Sequence, residues 1–112
     1  MYRVTEETIR VCGVNDIADG AAKSFMVTGR QVAVVRLGDT YYAIGDRCSH
    51  ANFSLAEGEV DAKYCSLECP QHGSRFSLTT GVPATLPATK AVPVYSVRVE
   101  GDDVMIASEP VS

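Results

Sequence analysis

The chain has 112 residues, a hydrophobic fraction of 46% and a formal net charge of −4, which allows one compact domain and excludes two ordinary ones. The acidic balance argues against the basic surface that nucleic acid or an anionic membrane requires, although the charge alone decides little. No apolar run approaches the roughly 20 residues of a membrane helix, and the N-terminus lacks the apolar stretch of a secretory signal. We therefore expect a soluble, cytoplasmic, single-domain protein over 1–112, without nucleic-acid or membrane partners.

The first half of the chain is predicted to form short strands joined by tight turns. One turn of helix is expected near 15–19, after the first strand. The dipeptide Gly29-Arg30 is a hairpin signal between two apolar runs, and Gly38-Asp39 predicts the next turn. The predicted strands cover 9–14, 22–28, 31–37 and 40–44.

The C-terminal part is predicted to form a second hairpin. Tyr95, Val97 and Val99 alternate with polar residues, which is the period of a half-buried strand. A turn at 101–103 leads into a returning strand at 104–107. Short strands with turns every 8–12 residues indicate an all-β fold, an antiparallel sandwich or barrel.

The segment 45–93 differs from the rest of the chain. It contains three of the four cysteines, both histidines and four of the five prolines. This composition predicts a loop-rich insertion on the β scaffold, where functional residues tend to lie.

Two short motifs in that segment predict a metal site. They are Cys48-Ser49-His50 and Cys69-Pro70-Gln71-His72, with 18 residues between them. In a reducing compartment, such Cys and His residues indicate metal ligands before disulfides. Structural zinc is one interpretation. Each motif mixes one Cys with one His, however, and this order suits a binuclear centre in which two Cys hold one iron and two His hold the other.

The motif C-x-H followed by C-x-x-H and Gly73-Ser74 resembles the Rieske family. The stretches 68–78, 86–89 and 94–103 are similar to bacterial Rieske ferredoxins, and the likeness covers about 9–107. It implies a Rieske-like antiparallel fold with a cluster-binding subdomain at about 45–93. It also implies one [2Fe–2S] cluster per chain, with Cys48, His50, Cys69 and His72 as its iron ligands.

The resemblance further implies an electron-transfer component and not an enzyme. Ferredoxins of this kind carry single electrons from a flavin-dependent ferredoxin reductase to the terminal oxygenase of an aromatic-ring dioxygenase system. A chain with only two histidines, both of them cluster ligands, cannot also form the two-His, one-carboxylate iron site of an oxygenase. A monomer is expected for a carrier that visits two partners.

Departures from the high-potential Rieske proteins imply a low reduction potential. Those proteins have a disulfide whose cysteines would fall at Phe53 and Gln71 of this chain, and neither residue is Cys. They also have a Ser and a Tyr whose hydroxyls bond to cluster sulfurs. Ser74 keeps the first hydroxyl, whereas Phe76 replaces the second. Hydrogen bonds to the cluster sulfurs raise the reduction potential. The loss of one of the two therefore predicts a potential toward the low end of the range of Rieske proteins.

Two further residues are expected beside the cluster. Gly73 would allow close approach of the backbone, although a simple turn glycine is the alternative. Pro87, within 86–88, resembles the proline-containing loop that covers the cluster in this family, and a plain connector is the alternative.

The remaining cysteines and acidic residues are assigned other roles. Cys12 and Cys65, each in a predicted strand, are expected to be small buried side chains and not redox partners. Four acidic residues near the motifs are expected to be solvated hairpin charges, with an acidic docking patch as the alternative. These are Glu57, Glu59, Asp61 and Glu68.

Two other functions remain open from the residues. Small subunits of nitrite reductases resemble Rieske ferredoxins, but many of them have lost the ligands that this chain retains. An accessory ferredoxin of iron–sulfur cluster assembly would have the same ligand set.

Overall fold

A computed structural model describes residues 8–47, 54–70, 73–84, 90–107 and 110. The described chain consists of short β-strands and one 3₁₀ helix, η1, with no helix long and apolar enough to cross a membrane. The elements are β1 (Thr8–Gly13), β2 (Ala22–Val27), β3 (Arg30–Leu37), β4 (Thr40–Gly45), η1 (Leu55–Glu57), β5 (Val60–Asp61), β6 (Ser66–Glu68), β7 (Arg75–Ser77), β8 (Val94–Tyr95), β9 (Val97–Glu100) and β10 (Asp103–Ala107).

The strands form three antiparallel sheets. Their strand orders are β1-β10-β9, β2-β3-β4-β8 and β5-β6-β7. Every strand pairing is antiparallel. The predicted all-β antiparallel fold class is therefore confirmed.

Strand β3 is buried on both faces and separates two hydrophobic cores. Val32 and Val34 belong to one core, which we call the Cys12 core after its first member. Ala33 and Val35 belong to the other, the Cys69 core. Because side chains alternate across a strand, one continuous apolar run supplies both cores, and the four-stranded sheet is the middle layer.

The hairpin between β2 and β3 has a two-residue loop, Thr28-Gly29. Both residues have positive φ, 46° and 82°, as a type I′ turn requires. Val27 pairs with Arg30, so the turn lies one residue earlier than the predicted Gly29-Arg30. The hairpin was predicted correctly, and its turn was misplaced by one residue.

The predicted strand at 95–99 is two strands in two sheets. Tyr95 pairs with β4, whereas Val97 pairs with β10. Between them the carbonyl oxygen of Ser96 accepts a hydrogen bond from the amide of Ala107 at 3.0 Å. Val99 is 44% exposed, so its predicted burial is wrong.

The helical turn predicted at 15–19 is also wrong. This stretch is a sequence of turns and bends, fixed by a hydrogen bond from the amide of Gly13 to Asp16 Oδ2 at 2.7 Å. Ile17 is inserted into the Cys12 core. The helical turn lies instead at η1, inside the segment predicted to be loops, and the same segment contains the sheet of β5, β6 and β7.

Candidate metal centre

Cys69 begins a tight turn directly after β6. The amide of Cys69 donates a 2.7 Å hydrogen bond to the carbonyl oxygen of Ser74, and the amide of Gly73 donates one of 3.1 Å to the carbonyl oxygen of Cys69. Gly73 has φ of +78°, a conformation that costs other residues about 1–2 kcal/mol. We call residues 69–74 the 69–74 turn.

The surroundings of Cys69 are apolar and closed to water. Cys69 is 1% exposed and belongs to a core that includes Leu55, Leu67 and Phe76. Ser74 is also 1% exposed. A buried cysteine and a buried serine at the two ends of one short turn suit a thiolate ligand whose charge is stabilised by hydrogen bonding. The described residues therefore fit an iron–sulfur centre.

The other motif lies in the 48–53 segment, whose two flanks are joined. Arg47 and Ser54 form an antiparallel bridge, which places their Cα atoms about 5 Å apart. The Asp46 carboxylate is 1% exposed. Its Oδ2 accepts a hydrogen bond from the Ser54 hydroxyl at 2.6 Å, and its Oδ1 accepts one from the amide of Ala56 at 2.9 Å.

The chain that follows the 48–53 segment contacts the strand that precedes the 69–74 turn. The amide of Glu68 donates a 2.8 Å hydrogen bond to the carbonyl oxygen of Glu59. A Cβ atom at Gly58 would overlap the carbonyl oxygen of Glu68, so only glycine permits this approach. The chain leaving the 48–53 segment therefore lies against the strand that enters the 69–74 turn.

Most of the predicted ligands lie outside the described residues. These are Cys48, His50 and His72. Three other residues named in the predictions, Phe53, Gln71 and Pro87 with its neighbours, lie outside them as well. Within the described part of the chain, no three metal-ligating side chains come together. The ligand set therefore stays a prediction, with Cys69 as the member whose surroundings can be examined.

Phe76 lies on β7, on the strand that leaves the turn. It is fully buried in the Cys69 core and pairs with Leu67 of β6. Its side chain has no hydroxyl, whereas Ser74, two residues earlier in the chain, is buried with one. The inference of a low potential rests on this pair and stays a prediction.

The two cysteines outside the motifs differ from each other. Cys12 is 3% exposed in β1, as predicted, and burial raises the pKa of its thiol. Cys65, by contrast, is half-buried in the turn before β6 with φ of +50°, so its predicted strand position is wrong. The proximity of Cys65 is the main cause of the raised pKa of the Tyr42 phenol, with burial second.

The four acidic residues near the motifs do not behave alike. Asp61 Oδ1 accepts hydrogen bonds from the amides of Lys63 and Tyr64. A Glu68 oxygen lies 3.6 Å from the guanidinium of Arg75. Glu57 and Glu59 are exposed. Two of the four are therefore engaged within their own hairpin, which favours solvated hairpin charges over a dedicated patch.

Sequence reasoning missed Asp46, Ser54 and Gly58. An acidic residue at the end of an apolar strand is the only local signal for Asp46. Its partner Ser54 lies eight residues away, and no periodic pattern relates the two. The close approach of Gly58 to β6 depends on tertiary structure and leaves no local trace.

The profile of one protein family, the Rieske [2Fe-2S] domain, matches residues 7–96. Among curated proteins, the 3-phenylpropionate/cinnamic acid dioxygenase ferredoxin subunit of Escherichia coli (strain K12) is 41% identical over 98 residues. The matched region covers 88% of this chain and 91% of that protein.

Solved structures agree with this match. The ferredoxin of carbazole 1,9a-dioxygenase from Nocardioides aromaticivorans IC177 has a TM-score of 0.89 and 38% identity, covering 91% of this chain and 98% of that one. A chain in the complex of reduced oxygenase and oxidized ferredoxin in carbazole 1,9a-dioxygenase has a TM-score of 0.87 and 35% identity, covering 96% and 99%. The similarity thus extends over almost the full length of this chain and of each compared chain.

Proposed function

Because the chain belongs to the Rieske [2Fe–2S] domain family, we propose that it is the ferredoxin of an aromatic-ring dioxygenase system. Its cofactor is a Rieske [2Fe–2S] cluster. It accepts single electrons from a flavin-dependent ferredoxin reductase and delivers them to a terminal ring-hydroxylating oxygenase. It does so as a soluble, cytoplasmic monomer of low potential.

The observation that carries the proposal is the setting of Cys69. A buried cysteine stands in a turn closed by two main-chain hydrogen bonds, with the buried Ser74 at its far end. We assign Cys48, His50, Cys69 and His72 as the iron ligands. They lie in the cluster-binding subdomain at about 45–93, within a single domain over 1–112.

The residues of the chain have separate tasks around the cofactor, which supplies reversible one-electron chemistry. The Cys69 core keeps water from the buried side. The Ser74 hydroxyl stabilises the more negative, reduced state by donating a hydrogen bond toward sulfur. Phe76 has no hydroxyl to donate a second such bond, so the reduction potential is lower than it would be with two.

The proposed partners follow from the relatives. These relatives are ferredoxin subunits of aromatic dioxygenases, and one solved relative is in complex with its oxygenase. A ferredoxin subunit transfers electrons and does not itself transform the substrate. A monomer suits this role because the carrier must meet the reductase and the oxygenase in turn.

The proposal is tested with two cysteine variants only four residues apart. Cys69→Ser is expected to abolish the cluster, because a hydroxyl is a poor substitute for a thiolate on iron. Cys65→Ser is the matched control, and we expect it to retain the cluster because Cys65 lies in the preceding turn. Iron and acid-labile sulfide analysis, with EPR of the dithionite-reduced protein, measures both.

The results that would contradict the proposal are specific. One zinc per chain without acid-labile sulfide would refute the cluster, and so would a full Rieske spectrum in Cys69→Ser. The carrier role is tested by oxygenase turnover with the reductase and oxygenase purified separately. Permanent co-purification with a nitrite reductase large subunit would instead support the accessory-subunit interpretation.

A further inference from the structure

Asp46 is a carboxylate buried in an unusual place. It is 1% exposed at the end of β4, and among the described residues its side-chain partners are a hydroxyl and an amide instead of a cation. Burying an ionised carboxylate without an opposite charge is costly unless hydrogen bonds satisfy it. Here each of the two carboxylate oxygens has a hydrogen-bond donor, and both donors lie at 54–56.

Both side-chain partners of Asp46 lie on the far side of the 48–53 segment. One carboxylate oxygen accepts from the Ser54 side chain and the other from the amide of Ala56. The main chain adds two hydrogen bonds around the same residue. The carbonyl oxygen of Asp46 accepts from the amide of Leu55 at 2.6 Å, and its amide donates to the carbonyl oxygen of Gln31 at 3.1 Å.

These bonds join the flanks of a segment that contains two predicted ligands. Asp46 is two residues before Cys48, so their Cα atoms are at most about 7 Å apart. The bond to Gln31 fixes Asp46 to the middle sheet, and Asp46 fixes the returning chain at 54–56. The covalent path between these fixed points is the stretch with Cys48 and His50.

We infer that Asp46 is a positioning residue for the cluster, because its carboxylate ties together the two flanks of the 48–53 segment and so holds Cys48 and His50 in place. The inference rests on the proposed ligand set. It goes beyond that set in assigning the geometry of one ligand pair to a residue that binds no iron.

The inference predicts graded effects in a series of variants. Asp46→Ala removes both acceptors and is expected to release the cluster to a chelator faster than the wild type, by about 10-fold, the lower end of the loss in metal affinity known for groups that orient ligands. Asp46→Asn keeps the shape and can donate to the Ser54 oxygen, so it should recover much of the wild-type rate. Ser54→Ala removes one of the two bonds and should lie between them.

Asp61→Ala is the matched control. The Asp61 carboxylate also accepts two hydrogen bonds from the chain, from the amides of Lys63 and Tyr64, but it caps a turn that contains no predicted ligand. The same number of carboxylate hydrogen bonds is lost in this variant. We expect the wild-type rate of cluster release.

A spectroscopic measurement separates positioning from general destabilisation. Pulsed EPR of the reduced holoprotein resolves the nitrogen couplings of the two histidine ligands. Asp46→Ala should change one coupling, that of His50, and leave the other unchanged. A merely less stable protein would give both wild-type couplings with lower occupancy.

Each outcome has a definite meaning. If the wild type shows no Rieske spectrum with two nitrogen couplings, the proposed function fails. If it does, and Asp46→Ala has wild-type couplings and a wild-type release rate, the positioning role is wrong, as it is if Asp61→Ala releases the cluster equally fast. Should Asp46→Ala fail to fold, Ser54→Ala decides: faster release supports the role and a wild-type rate overturns it.

Discussion

The two motifs are held by different means. The flanks of the 48–53 segment are joined by a side chain in addition to main-chain bonds, since the Asp46 carboxylate accepts from the Ser54 hydroxyl and the amide of Ala56 while the Asp46 carbonyl oxygen accepts from the amide of Leu55. The 69–74 turn is closed by its own backbone, through hydrogen bonds between Cys69 and residues 73 and 74.

This difference determines which substitutions each side tolerates. A backbone-closed turn is sensitive to the conformations that its residues can adopt, so its weak point is Gly73 with φ of +78°. A connection made by a side chain, such as the Asp46 carboxylate, is sensitive to the loss of its hydrogen-bond acceptors or of their donors. The two sides meet where Gly58 and Glu59 lie against Glu68, and a change at Gly58 is expected to affect both.

The largest effect is expected from Gly58→Ala. A Cβ atom would overlap the carbonyl oxygen of Glu68, a backbone atom that cannot move without shifting β6. Overpacking of this kind costs about 3 kcal/mol, and we expect that loss in the free energy of unfolding together with poor cluster loading. Denaturant unfolding and iron analysis measure the two.

Gly13→Ala is the control for this prediction. Its Cβ atom would meet a side-chain oxygen of Asp16 at 3.3 Å, and that side chain can shift. If Gly58→Ala were as stable as Gly13→Ala, the contact between the two motifs would not be as tight as described.

An intermediate effect is expected from Gly73→Ala. The positive φ costs an alanine about 1–2 kcal/mol, and among the described residues only a side-chain oxygen of Glu68 lies within 4 Å of the new Cβ, at 3.6 Å. Gly101→Ala is the matched control, because Gly101 has φ of +63° with nothing within 4 Å. Both variants should lose similar stability, and only Gly73→Ala should lose cluster in the chelator assay. Equal cluster retention in the two would show that the turn does not depend on Gly73.

The smallest effect is expected from hydroxyls on the strand that leaves the 69–74 turn. Phe76→Tyr should raise the reduction potential, and Ser74→Ala should lower it. Each change is worth about 1 kcal/mol for one hydrogen bond, or about 40 mV for one electron. Protein-film voltammetry measures both. A midpoint of Phe76→Tyr that stays at the wild-type value would mean that the new hydroxyl does not reach the cluster.

Much of the fold could be predicted because its signals are local. The apolar run of β3 and the turn glycines mark strands and hairpins in the sequence itself. Two features escaped because they depend on pairing between distant residues. Ser96 separates two strands only because Tyr95 and Val97 pair with different sheets. The sheet of β5, β6 and β7 has strands of two or three residues, too short for a periodic pattern.

The candidate site divides in the same way. Cys69 and Gly73 could be predicted because a motif of fixed spacing contains them. Asp46 could not, since a buried carboxylate looks like any surface Asp until its partners are known. Cys65 was assigned to a strand because its neighbours are apolar, but its positive φ comes from the turn that reverses the chain before β6.

Strand β3 contributes one face to each core. Unfolding that exposes β3 in one core therefore also exposes its opposite face, in the other core. Amide protons at 32–35 are therefore expected to exchange with solvent only when the whole chain opens. Since a cofactor that binds the native state stabilises it by mass action, cluster occupancy acts on the lifetime of the entire molecule. Iron supply would in this way set how much of the carrier a cell retains, as well as how much of it can carry an electron.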